Sequence, residues 1–107
     1  MSERTAPTSK EVSREVIISS ALDFCLKNGY NNLSRDAIAA HAGVAKGKIH
    51  YVFNTMTQLR RAVMRAAVHR ELRPIIAQGL AQGDKEAHAA PEWLKRESLD
   101  LLMKQGE

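Results

Sequence analysis

The chain has 107 residues, which is the length of one ordinary domain, and its formal net charge is +4. Its 44% hydrophobic content is mostly aliphatic residues and alanine, without the long alternating runs that strands require, so we predict an all-α protein. We see no stretch of about 20 apolar residues that could span a membrane and no secretory signal, and we expect a cytoplasmic protein.

Charge is unevenly distributed along the sequence. Residues 35–73 hold eight basic and two acidic side chains, whereas residues 74–107 hold four basic and six acidic ones. A basic centre suits a surface that meets phosphate, although solvated helix faces are the simpler alternative.

The first predicted element is a helix from about Lys10 to Asn28. Residues 1–10 are expected to form a disordered arm, and its basic residues Arg4 and Lys10 could enter a minor groove, although a frayed tail is favoured. Gly29 is placed to end the helix in a left-handed conformation. The apolar positions recur at helical spacing and are Ile17, Ile18, Ala21, Phe24 and Cys25.

Two short helices follow. Ser34 is a good N-cap for the first, and Gly43 should end it. A third helix is predicted from about Ala45 to Val52. A helix, a glycine turn and a second helix together predict a helix-turn-helix.

A longer fourth helix begins with a predicted capping box at Thr55 and Gln58. One apolar stripe can close over the first three helices, and a second stripe lies on nearly the opposite side and needs another partner. Pro74 should kink or split this helix, and Gly79 and Gly83 should end the segment. The second stripe comprises Met64, Val68, Leu72 and Ile75.

A last helix is predicted after a polar stretch, with Pro91 at its first position and its end near Gly106. Its apolar residues could cover the second stripe within the chain or across a dimer, and a dimer contact is favoured modestly. The candidate dimer-interface residues are Met64, Val68, Leu72, Ile75, Trp93, Leu94, Leu101 and Leu102.

The outward side of the third helix carries the candidate DNA-binding chemistry. Lysine can donate to guanine acceptors or phosphates, and a helix glycine costs about 1 kcal/mol relative to alanine unless something favours it. Close approach to DNA would favour Gly47, and cheap tolerance in a first turn is an equal alternative. His50 and Tyr51 could contact phosphate or pack on the second helix, and Ser34 could simply cap. The candidate DNA-binding residues are Ser34, Arg35, Ala45, Lys46, Gly47, Lys48, His50 and Tyr51.

This part of the sequence resembles the N-terminal DNA-binding region of the tetracycline-repressor (TetR) family. The resemblance covers about residues 14–64 and implies a homodimeric repressor on a palindromic operator of double-stranded DNA. Met56 stands where that family often has a phosphate-binding lysine, and Lys48 can compensate for that charge. The matching residues are Ile17, Ala21, Gly29, Tyr30, Ile38, Ala39, Ala42, Gly43, Val44, Lys46, Gly47, Tyr51 and Phe53.

Other expectations concern domains, ligands and catalysis. We assign residues 11–72 to the DNA-binding domain and residues 73–107 to a helical extension for dimerisation or core cover. Family members normally continue into a much larger ligand-binding domain, and 107 residues leave little room for one. We therefore expect no small-molecule effector. The histidines are dispersed and there is a single cysteine, so we predict no bound metal or cofactor. We find no catalytic motif, so we predict that the protein is not an enzyme. The rival hypothesis is an antirepressor that pairs with another regulator through this fold.

Overall fold

The described part of the chain is all helical. A computed structural model describes residues 9–105, in which seven α-helices and one 3-10 helix, at Tyr30–Asn32, occur without a strand. Residues 1–8 of the predicted arm lie outside the described residues, and its last two positions belong to α1, which begins at Ser9. The α-helices are α1 Ser9–Asn28, α2 Arg35–Ala42, α3 Lys46–Val52, α4 Met56–His69, α5 Arg73–Gln82, α6 Lys85–His88 and α7 Glu92–Gln105.

Local capping signals in the sequence fix the ends of α2 and the start of α4. The Ser34 hydroxyl accepts a hydrogen bond from the backbone N–H of Ala37 at 3.0 Å, and Gly43 ends α2 with a φ of 70°. Thr55 accepts from the N–H of Gln58 at 3.1 Å, as predicted. The Gln58 side chain, however, accepts from the N–H of Asn54 and not from that of the cap residue. The second hydrogen bond of the predicted capping box is therefore made to the residue before the N-cap, and not to the N-cap itself.

The predicted long fourth helix is split into α4 and α5. Glu71 in the connection has a φ of 57°, and Pro74 lies in the first turn of α5, where no backbone donor is needed. Gly83 ends α5 with a φ of 76°. The prediction that Gly79 helps to end the segment is wrong, because Gly79 is a buried residue inside α5.

A single hydrophobic core joins the first four helices to the last three, so the two predicted segments do not have separate cores. Met64, Ile75 and Leu94 are at most 1% exposed within this core. The second stripe of the fourth predicted helix is thus covered inside the chain, because α4 packs on α5 and α6, and α5 packs on α7. These three residues present no surface to a second copy, which corrects their assignment to a dimer interface. Of that predicted set, Trp93 remains half-exposed, and Val68, Leu72, Leu101 and Leu102 are partly buried.

The polar stretch before the last helix contains an element that we did not predict. Asp84 caps α6 by accepting from the N–H groups of Glu86 and Ala87. The last helix begins at Glu92, one residue after the predicted start, and the Pro91 carbonyl accepts from the N–H of Lys95. The short α6 carries Ala87 into the core, where it is fully buried.

Tyr30 connects the two ends of the core. Its backbone N–H donates to Gln78 Oε1 in α5, and its hydroxyl donates to Asp84 Oδ2 at 3.0 Å. Burial, followed by the nearby Asp84 carboxylate, raises the pKa of the Tyr30 phenol, so the group stays protonated and keeps donating. The preceding Gly29 has a φ of 95° and a ψ of 142°, which lie outside the left-handed helical region, so the predicted left-handed cap is wrong at this position. This conformation is nevertheless one that glycine adopts without strain.

Within residues 9–105, none of the helices is long and apolar enough to cross a membrane. The same residues contain no group of three or more His, Cys, Asp or Glu side chains that could hold a metal ion. Cys25 is buried, and burial raises the pKa of its thiol to about 12.

Candidate nucleic-acid interface

The second and third helices form the predicted helix-turn-helix, and buried residues fix both against α1. Ile38 and Ala39 anchor α2, and Ile49, which is fully buried, anchors α3. Phe53 follows α3 and is only 2% exposed. Because α3 is held by these apolar contacts, its other side is free to face a second macromolecule.

The outer side of α3 begins with Lys46, Gly47 and Lys48, all of which are exposed. A Cβ atom built on Gly47 would meet no heavy atom within 4 Å. Internal packing therefore does not explain why this helix position is glycine. His50 is exposed as well, and Tyr51 is 61% exposed.

The two lysines of α3 differ in their surroundings. Lys46 Nζ lies 3.3 Å from Asp36 Oδ1 in α2, in a pair whose side chains are 64% and 77% exposed. Ion pairs this exposed contribute little, so a phosphate can replace Asp36 at small cost. Lys48 makes no ion pair with any residue that the structure describes. It is the better placed of the two cations for DNA.

Arg35 is less available than the sequence suggests. Its side chain is half-buried, and one terminal nitrogen donates to the Asn54 carbonyl at 3.4 Å. Its Nε is buried without a hydrogen-bond partner in the described part of the molecule. The guanidinium therefore ties the start of α2 to the segment after α3, and a phosphate would have to compete with the Asn54 carbonyl.

Ser34 and Ala45 are the N-cap residues of α2 and α3. The Ser34 hydroxyl caps α2, which agrees with the alternative that this residue simply caps the helix. Ala45 is exposed, and its side chain makes no capping hydrogen bond to α3. The first N–H groups of a helix carry partial positive charge, which adds to that of Lys46 and Lys48 at this end of α3.

A polar cluster on the other side of α2 holds that helix against α1. Asp23 Oδ2 lies 2.7 Å from His41 Nε2 and 3.0 Å from Lys27 Nζ. The hydrogen bond with His41, followed by the one with Lys27, holds the pKa of the Asp23 carboxyl below its usual range. Phe24 meets the His41 ring edge-on, with ring centroids 5.9 Å apart. This cluster orients α2 and does not face the outer side of α3.

Sequence reasoning identified Trp93 but missed two other exposed apolar residues of α7, Leu99 and Met103. Leu99 is 43% and Met103 is 70% exposed, one helical turn apart, and Trp93 is 49% exposed. Trp93 lies under the Arg73 guanidinium, whose carbon is 6.0 Å from the ring centroid, and Arg73 pairs with Glu97. The i, i+4 spacing of Leu99 and Met103 is a signal in the sequence that these residues share one side of α7. The sequence does not show which side of α7 is buried, and so it does not show that these two residues are exposed.

Comparison with known proteins finds similarity to bacterial transcriptional regulators. Residues 17–63 match the family described as bacterial regulatory proteins, tetR family. The chain is also 33% identical over 69 residues to an uncharacterized HTH-type transcriptional regulator, TtgW, of Pseudomonas putida. That alignment covers 64% of this chain and 51% of the relative, so the chain spans about half the length of the relative it matches. No solved structure gives a significant match.

Proposed function

We propose that the protein is a sequence-specific transcription regulator that binds double-stranded DNA, because residues 17–63, which include the helix-turn-helix, match the family described as bacterial regulatory proteins, tetR family. It represses transcription by occupying a short palindromic operator as a homodimer. The observation that carries this proposal is the first turn of α3, where two exposed lysines flank a glycine whose Cβ position is open.

The roles of the α3 residues follow from how such helices dock. A recognition helix enters the major groove with its N-terminal residues nearest the bases. Lys46 and Lys48 then donate to base edges or phosphates, and Gly47 lets the backbone approach. His50 and Tyr51, farther along the exposed side, are placed to donate to phosphates on the groove wall.

A homodimer would place two copies of α3 on the two half-sites. The exposed apolar residues of α7 favour this helix as the contact between copies, because large apolar side chains are the usual centre of an interface. Trp93, Leu99 and Met103 are the residues we assign to it.

The double variant Leu99→Lys/Met103→Lys tests the dimer. We expect it to weaken self-association by at least about tenfold, because it places two unpaired cations in an apolar contact. Sedimentation equilibrium of the wild type and the variant gives the dissociation constants. The control, Ala40→Lys, adds a cation to an exposed position of α2 and should leave the mass unchanged. A wild-type mass of one chain at micromolar concentration would refute the dimer.

DNA binding is tested on sequences selected from random duplexes. We expect Lys48→Ala to weaken binding about eightfold for each half-site at 0.1 M salt, and so about sixtyfold for the homodimer, because each lost phosphate contact lowers the slope of log affinity against log salt by about 0.9. Fluorescence anisotropy at four salt concentrations measures both quantities. Lys85→Ala, which removes an exposed lysine from α6, is the matched control and should bind like wild type.

Two outcomes would contradict the proposal. One is the absence of binding to any selected duplex at low salt, which would favour the rival antirepressor function. The other is an unchanged affinity and salt slope in both Lys46→Ala and Lys48→Ala, which would mean that α3 does not face DNA.

A further inference from the structure

A second basic surface lies beside the far end of α3. Arg14 of α1 and Arg61 and Arg65 of α4 line an open cleft of about 190 Å³, which we call the arginine cleft. The apolar and polar residues that complete its walls are Val52, Phe53, Gln58 and Ala62. Three arginines from two helices thus line one concave site.

The charge of this cleft is not balanced from within. Among residues 12–104, whose side chains the structure describes, none that lines it is acidic. Arg65 Nε donates to Glu86 at 2.8 Å, but Glu86 belongs to α6 and is outside the cleft. Arg61 makes no ion pair with any of residues 12–104. Cations that face one cavity repel one another, so an anion is the occupant that suits the site.

Two of the polar side chains are already held in place. The guanidinium carbon of Arg14 lies 4.8 Å from the centroid of the Phe53 ring, in a cation–π contact. Gln58 uses its Oε1 to accept from the N–H of Asn54, so its amide nitrogen is the part that can donate to a ligand. Guanidinium groups give paired, planar donors that match phosphate oxygens. A phosphate is therefore the anion that these donors fit best.

The position of the cleft indicates which phosphate it is. Val52 ends α3 and Phe53 follows it, so the arginine cleft adjoins the end of the helix opposite Lys46. Seven residues of helix span about 10 Å, and the major groove is about 12 Å wide. A helix docked in that groove has a phosphate backbone close to both of its ends.

We propose that the arginine cleft binds a backbone phosphate of DNA at the edge of the groove that α3 enters. This inference rests on the proposed function, since it requires α3 to dock on DNA. It adds a contact that is independent of base sequence and that fixes the orientation of the helix-turn-helix on the duplex.

Arg61→Gln tests the cleft, and Arg60→Gln is its matched control. Both variants remove one exposed arginine from neighbouring positions of α4, but Arg60 does not line the cleft. We expect Arg61→Gln to lower the salt slope by about 0.9 and the affinity about eightfold for each half-site at 0.1 M salt, which amounts to about 1.8 and about sixtyfold for the homodimer. Arg60→Gln should keep the wild-type slope. A wild-type slope in Arg61→Gln, with DNA binding intact and weakened by Lys48→Ala, would overturn the cleft and leave the proposed function standing.

The source of the phosphate is tested with modified DNA and with free phosphate. Neutral methylphosphonate linkages placed one at a time around the half-site should weaken wild-type binding at one flanking position about eightfold, and Arg61→Gln should be insensitive to that position. Titration calorimetry of the DNA-free protein with inorganic phosphate and pyrophosphate forms the second arm. Arg61-dependent binding of these ions, with no methylphosphonate position that distinguishes the two proteins, would show that the cleft serves a free phosphate and would refute the DNA contact. Absence of wild-type DNA binding would refute both this inference and the proposed function.

Discussion

Gly79→Val is expected to lower the free energy of unfolding by about 3 kcal/mol, because side chains of α4 and α6 occupy the space that a Cβ needs. A Cβ atom on Gly79 would lie 2.4 Å from Met64 Cε and 2.9 Å from Ala87 Cβ. The Met64 side chain can move its end, but the Ala87 methyl group is fixed to the backbone of α6. The helices must therefore separate to admit the new side chain.

Chemical denaturation followed by circular dichroism measures this loss. Gly47→Val is the matched control, because it makes the same change in a helix where nothing lies within 4 Å, and its stability should equal that of wild type or exceed it slightly. Adding Ala87→Gly to Gly79→Val should make the glycine substitution less costly than it is alone. If Gly79→Val were as stable as wild type, α5 and α6 could not be packed this closely.

Gly47→Leu is expected to weaken specific DNA binding about a hundredfold while leaving the protein at least as stable as wild type. Leucine is favoured over glycine in a helix by nearly 1 kcal/mol, and the open space at Gly47 means that no internal contact opposes it. The added side chain would instead stand between the helix backbone and the groove floor. A factor of 100 corresponds to about 2.7 kcal/mol of lost binding free energy.

Anisotropy titration and thermal denaturation of the same preparations separate the two effects. Ala81→Leu, which adds three carbon atoms to an exposed position of α5, should bind DNA like wild type. Gly47→Ala should fall between wild type and Gly47→Leu in affinity. Undiminished binding by Gly47→Leu would mean that the first turn of α3 merely tolerates this glycine, which is the alternative considered from the sequence.

The sequence predicts the helix-turn-helix well because its signals are local. A cap such as Ser34 bonds to an N–H only three residues away, and Gly43 adopts a left-handed conformation that neighbouring residues cannot change. Pro74 acts through its own ring and missing N–H, so it splits the helix wherever the rest of the chain lies. These features need no knowledge of tertiary packing.

The rest of the chain depends on long-range packing that no local pattern contains. Met64, Ile75 and Leu94 are compatible with a core or an interface, and only the packing of α4 on α5 and α6 and of α5 on α7 places them in the core. Gly79 reads as a helix end, but it is the point where three helices approach. The four residues of α6 are too few to show a helical period.

The candidate site was predicted in part for the same reason. Residues on one helix, such as Lys46, Gly47 and Lys48, share a side that the helical period alone defines. The arginine cleft draws Arg14 from α1 and two arginines from α4, so the sequence shows three separate cations and no site. Arg35 was assigned to phosphate by its position in α2, and its bond to the Asn54 carbonyl depends on where the next loop lies.

The two hydrogen bonds of Tyr30 have a consequence for protein engineering. Cutting the chain after α4 would remove Gln78 and Asp84, and so leave the backbone N–H and the buried phenol of Tyr30 without their acceptors. It would also open the core that Met64 shares with α5 and α7. The helix-turn-helix is thus not expected to be stable when it is transferred without the helices that follow it. A chimaera built to carry the proposed DNA specificity should include the chain through α7.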